Sequence, residues 1–133
     1  MKNIPLSGTL VVLAHLLVNA AHGLAHSKME IGLSDAQALF VGLVILVAPI
    51  LAAILLWTRL RRAAGGLLLL SMAGAFLFGL YYHFLYPGPD NVSQATSNNW
   101  LPAFRVTAVL SELLELLGCW AGFRALRAAT SLN

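Results

Sequence analysis

DAQALFVGLVILVAPILAAILLWT, residues 35–58, carries a charge only on its first residue, Asp35, and the next charged side chain is Arg59. About 20 mainly apolar residues make a helix long enough to cross a bilayer, and this stretch exceeds that length. Ser34 and Asp35 form an N-cap pair that would start the helix. Pro49 lies inside it and predicts a kink, which membrane helices tolerate.

Three other stretches read the same way on either side of it, at about residues 7–26, 63–86 and 101–127. Pro102 suits the first turn of the last one. The fold class that follows is all-α: a polytopic membrane protein, a four-transmembrane-helix bundle, forming a single transmembrane domain over residues 1–133. Composition agrees, with 59% apolar and 10% charged residues against about 25% charged in ordinary soluble domains. Lys2 before an apolar run has the outline of a secretory signal, but the run reaches spanning length and reads as a span. Cys119 is the single cysteine, so no internal disulfide and no cysteine metal box is available.

Basic residues set orientation in membranes. With alternating spans, Lys2, Arg59, Arg61, Arg62, Arg124 and Arg127 fall on one side, and only Lys28 and Arg105 fall on or near the other. Both termini are therefore expected in the cytoplasm. The net charge of +3 is explained by this distribution, so no nucleic-acid partner is implied. Tyr81, Tyr82, Tyr86 and Trp100 would form an outer aromatic belt, with Trp57 and Trp120 near the inner face. The outer segment PGPDNVSQATSNN, residues 87–99, reads as an irregular loop.

Small residues at i, i+4 mark close helix packing in lipid. Gly118 and Gly122 form one such pair, and Ser71, Ala75 and Gly79 form a second line that leads to His83. These seams pack the third and fourth helices together, or join this chain to another copy or to a larger membrane complex.

Polar side chains in the apolar stretches fall in stripes. At 100° per residue, His15, Asn19, His22 and His26 lie within about 60° on the first helix, and Arg105, Glu112, Glu115 and Cys119 within about 80° on the fourth. Ionisable groups inside a bilayer cost about 2.5–3.5 kcal/mol each on insertion scales, so both stripes should turn inward. Depth divides them into two layers. His26 and His83 lie within roughly one turn of the outer surface, and His22 and Arg105 about one turn deep. Glu30 and Asp90 are close enough to lean into this outer layer. His15, Glu112 and Glu115 fall near the bilayer centre, with Asn19 between the layers.

His22, His26 and His83 form a three-imidazole set suited to zinc, copper or iron. Alternatively His83 with His22 or His26 could clamp a non-covalent haem or related pigment, with Gly23 and Gly79 making room. A fixed charge on Arg105 favours a haem propionate over a bare cation; Arg105 also reads as a residue snorkelling to headgroups. In the middle layer, His15 opposite Glu112 and Glu115 is a proton-linked arrangement, and two carboxylates at this depth cannot both ionise cheaply. Each polar residue has a plainer reading too, as a packing group that hydrogen-bonds across helices.

The run GLYYHFLYPGPDN, residues 79–91, resembles a bacterial membrane polypeptide, which implies a bacterial inner membrane. Three functions follow from the residues. The first is a small membrane protein holding a metal or haem-type cofactor through His22, His26 and His83. The second is a proton- or ion-coupled transporter or channel, as an oligomer. The third is an accessory subunit of a larger complex. No nucleophile–base pair points to an enzyme.

Overall fold

The computed structural model describes residues 3–130. Lys2, counted above among the basic residues, lies outside the described residues. Four helices run through it: α1 (Ile4–Lys28), α2 (Asp35–Leu55), α3 (Arg61–Leu85) and α4 (Leu101–Thr130). No strand occurs among the described residues. Each helix is long and apolar enough to cross a membrane.

The helix ends follow local chemistry. Ser34 caps α2 through a reciprocal box: its hydroxyl accepts from the Gln37 amide, and its own amide donates to Gln37 Oε1. Pro5 sits in the first turn of α1, where its missing N–H costs nothing. The far end of α1 closes with two bonds, Glu30 N–H to the Ser27 carbonyl and Ile31 N–H to the His26 carbonyl. Glu30 stands at the left-handed position of this motif, with φ 56°, where glycine is usual.

Two helices widen locally. Residues Val41–Val47 of α2 form π-helical turns, and the Ala48 amide bonds five residues back to the Leu43 carbonyl. Pro49 follows directly. The ring has no N–H to donate and crowds the preceding turn, so the expected kink takes the form of wide turns. Leu80–Leu85, at the end of α3, widen in the same way. That segment carries His83. A wide turn advances each residue by less than the 100° assumed for an α-helix.

α4 is the centre of the bundle and packs against both α3 and α1. The α3–α4 approach is backbone to backbone. A Cβ on Gly122 would lie 2.6 Å from the Leu69 amide nitrogen and 2.9 Å from the Gly65 carbonyl oxygen. One on Gly65 would lie 2.8 Å from the Leu126 amide nitrogen. Gly118 accommodates the Met72 side chain in the same seam. The small-residue lines read from the sequence therefore pack within one chain, with Gly65 as a member the spacing did not reveal. α2 lies against α3, and touches α1 mainly through its Ala48–Leu55 half.

The core is in two parts. Val12, Ala52, Leu56, Leu68, Met72 and Ala121 fill the end near the Arg59–Arg62 turn. Ala25, Ile31, Ala95 and Phe104 fill the other end, beneath the 86–100 loop. Outside this core the surface is apolar. Leu17 and Leu70 are each 73% exposed, and Leu10, Leu13, Leu77 and Leu113 lie open as well. Patches this extensive are rare on a protein that lives in water.

Gly122→Leu should lose most of its folded population in detergent micelles, because overpacking costs about 1–3 kcal/mol even where neighbours can shift. A Cβ added at Gly42 would meet nothing within 4 Å, so Gly42→Ala should stay within about 0.5 kcal/mol of the parent in the same denaturant titration. Glu30→Gly should stabilise by about 0.5–1 kcal/mol, by relieving the left-handed backbone.

Candidate metal centre

Three imidazoles meet at the loop end of the bundle. His22 and His26 come from adjacent turns of α1, and His83 from the widened end of α3. His22 and His83 are buried and His26 is partly so. Phe104 of α4 forms the floor, stacked on His22 with ring centroids 5.2 Å apart.

The hydrogen bonds of the Nδ1 atoms determine what the Nε2 atoms can do. His83 Nδ1 lies 3.1 Å from the Asp90 carbonyl, and His26 Nδ1 lies 3.4 Å from the Ile31 carbonyl. A carbonyl only accepts, so both rings donate from Nδ1. His22 Nδ1 lies 2.9 Å from Thr107 Oγ1. That hydroxyl gives its proton to the backbone, 2.7 Å from the Ala103 carbonyl and 3.1 Å from that of Phe104, so it accepts from His22. In the neutral state all three Nε2 atoms therefore carry lone pairs.

Those three lone pairs converge. His22 Nε2 is 3.2 Å from His83 Nε2 and 3.1 Å from His26 Nε2. The ligand atoms of the three residues all lie within 4.8 Å of one another. Tetrahedral zinc with Zn–N bonds of about 2.0–2.1 Å places its nitrogens roughly 3.3 Å apart. The cluster can hold a metal ion. Acceptors behind each Nδ1 are the usual support of metal-bound imidazole. A haem or other flat pigment would need two rings facing across an open slot. The observed triangle leaves none, so the set fits a bare ion better than the macrocycle raised from sequence.

Asp90 reaches in from the 86–100 loop. Its Oδ1 lies 3.0 Å from His83 Nδ1 and 3.1 Å from His26 Nε2, close enough for ion pairing though not aligned as a hydrogen bond. Burial disfavours the ionised carboxyl, but these two contacts outweigh it and hold Asp90 well below the usual carboxylate range. The loop is pinned in place. The Val92 amide donates to the His83 carbonyl, and Asn91 Nδ2 donates to that of Tyr86.

Deeper in the bundle, His15 is fully buried, with Nε2 3.2 Å from Glu115 Oε1. Glu112 does not join that pair; it lies against Gly79 of α3. Asn19 donates to the His15 carbonyl on its own helix. His15 Nδ1, Ser111 Oγ, Glu112 Oε2 and Glu115 Oε2 are buried without a partner. A cavity of about 320 Å³ connects the layers, bordered by the three histidines, Asp90, Glu112 and Glu115.

Two sequence expectations need correction. Arg105 is exposed and outside the polar seam; its Nε donates to the Val92 carbonyl over 2.7 Å, because the nearby loop offers a bond at the surface without desolvating the guanidinium. Glu30 is exposed in the α1–α2 turn and does not enter the outer layer. Conversely, sequence reasoning misses Thr107 and Ser111. A signal is present: Thr107, Ser111, Glu115 and Cys119 recur at every fourth position of α4. Cys119 packs beside α3, with Sγ 3.9 Å from the Leu69 carbonyl.

Comparison of the chain with family models, with curated proteins and with solved structures finds no match.

The Asp90 environment predicts an acid signature in the metal-free protein. A depressed folded pKa gives stability that is fully present above the unfolded value of about 3.9 and is lost as pH falls through the lower folded value. Asp90→Asn should therefore be less stable than the parent at pH 5, with the gap closing only in strong acid. Denaturant titrations across pH would check this; a gap that widens as pH falls would contradict it.

Proposed function

We propose that this chain is a single-domain integral membrane protein that binds one transition-metal ion through His22, His26 and His83 near the outer face. His15, Glu112 and Glu115 form a proton-linked layer at mid-membrane. Convergence of the three Nε2 lone pairs, with every Nδ1 already donating, carries this reading. Without a cation or a proton between them, three acceptors face one another in a shielded site. Imidazole nitrogens suit zinc and copper best among common ions. Three protein ligands leave a fourth position, which in zinc sites takes water or an exogenous molecule.

The four apolar helices and the leucine-rich exterior support a bilayer as the surrounding medium. Arg59, Arg61, Arg62, Arg124 and Arg127 lie at the end opposite the histidines, which favours cytoplasmic termini in a bacterial inner membrane.

Purified protein should bind close to one zinc or copper ion per chain. His22→Ala, His26→Ala and His83→Ala should each weaken binding by more than about 100-fold, and Asp90→Asn by about 10–100-fold, as for loss of an outer-shell partner. Ion at 100 times its Kd should stabilise the parent by about 2.7 kcal/mol. Binding no stronger than in the triple alanine variant would remove the proposal.

A second reading, proton- or ion-coupled transport, is favoured by the unpartnered atoms of His15, Glu112 and Glu115 across the middle of the bundle. In liposomes, Glu112→Gln and His15→Ala should each slow flux at least about tenfold. Parent-level flux in both variants would discard transport and leave metal binding untouched.

A further inference from the structure

The cavity under the histidines has two unlike walls. One is polar, with Ser111, Glu112 and Glu115 from α4 and the imidazoles above. The other is apolar, formed by Leu33, Val41 and Ile45 from the α1–α2 turn and α2, with Phe78 from α3. α2 and α1 are in substantial contact only along Ala48–Leu55. Above that point the helices part, and the cavity lies in the gap. Gly23 and Gly42, from the two helices, have nothing within 4 Å of a Cβ position. Below the cavity, the α1–α2 seam continues as a second, almost wholly apolar pocket of about 210 Å³, between Val12, Leu13 and Leu16 on one side and Ile50, Ala53 and Ile54 on the other.

A polar wall behind a side opening is unusual in this medium. Ser111 Oγ, Glu112 Oε2 and Glu115 Oε2 are buried without partners, and both glutamates are at least nine-tenths buried. Buried polar atoms require a partner, and hydrocarbon supplies none. Whatever fills the space must present hydrogen-bond donors to the carboxyl groups and apolar surface to Phe78 and Ile45.

We infer that this cavity binds a single-chain amphiphile with a hydroxyl head group, which enters from the hydrocarbon phase between α1 and α2 and lays its chain along their seam. The inference rests on the bilayer reading above, and on the metal for one head-group contact and for the exclusion of an ammonium head. A hydroxyl offers its proton to Glu112 or Glu115 and its lone pair to the fourth position of a metal above. A carboxylate or phosphate head would face Asp90, Glu112 and Glu115. An ammonium head would face the metal. Size limits the occupant further. The cavity is at the lower end of the usual ligand range, about 300–1,000 Å³, which holds a small head group and excludes a two-chain lipid.

The test uses full-length protein in nanodiscs and a long-chain primary alcohol bearing a diazirine on its tail. Photolabelling should saturate at one probe per chain and map to the α1–α2 seam. Dodecan-1-ol should compete at least about tenfold better than its methyl ether, which lacks the donated proton, a difference of about 1.4 kcal/mol. Val41→Trp should abolish saturable labelling while leaving zinc content and helicity unchanged. Replacing both acceptors, Glu112→Leu with Glu115→Leu, should erase the preference for alcohol over ether. Labelling scattered over the exposed leucines without saturation, or equal competition by the ether, overturns the inference. Zinc is measured on the same samples: saturable labelling without zinc sinks the metal proposal alone, and bound zinc without saturable labelling sinks this one alone.

Discussion

A buried imidazole that donates from one ring nitrogen leaves a lone pair on the other, and that constraint organises the loop end of this bundle. Thr107, Ile31 and Asp90 each take one Nδ1 proton. The three remaining nitrogens face one another, 3.1 and 3.2 Å apart along two edges, with Asp90 Oδ1 3.1 Å from that of His26. Lone pairs repel, so the arrangement is stable only with positive charge among them. A metal ion or a proton can supply that charge, and the cluster is compact enough for an ion. The partners of the Nδ1 atoms come from α4, from the α1–α2 turn and from the 86–100 loop, so the fold around the histidines and the site itself are one construction.

The rest of the fold serves to hold α1, α3 and α4 close enough for this. Glycine-to-backbone contact at Gly65 and Gly122 draws α3 onto α4, the kind of close packing that holds helices together in a bilayer. The widened turn at Leu80–Leu85 then aims His83 toward α1 and frees its carbonyl for Val92. That bond, with the one from Asn91 Nδ2 to the Tyr86 carbonyl, anchors the segment that delivers Asp90. The wide turns before Pro49 accompany a different outcome. α2 stays on α3 but parts from α1 over its Asp35–Val47 half, leaving an opening beside the polar wall.

Much of this can be read from the residues. Long apolar runs predict four helices because nothing else offers such lengths of unbroken hydrophobicity a place to go. The stripe of His15, His22 and His26 and the matching depth of His83 locate the cluster, since polar groups in such helices must share an interior. Arg105 is misplaced because helical angle alone cannot tell that a loop carbonyl waits at the surface. Thr107 is missed because a hydroxyl scores as neutral in any search for charge, although its spacing from Ser111 and Glu115 is regular. The role of Asp90 depends on how an irregular loop folds back, and no periodicity encodes that. His83 aims through π-helical turns, which a fixed 100° step does not describe.

X-ray absorption at the zinc edge, on protein loaded with one equivalent, tests the central claim most directly. Three imidazole nitrogens and one oxygen ligand at about 2.0–2.1 Å are predicted, with the imidazole count falling by one in His83→Ala. A first shell made of oxygen alone, or an imidazole count that does not respond to that substitution, would contradict the account.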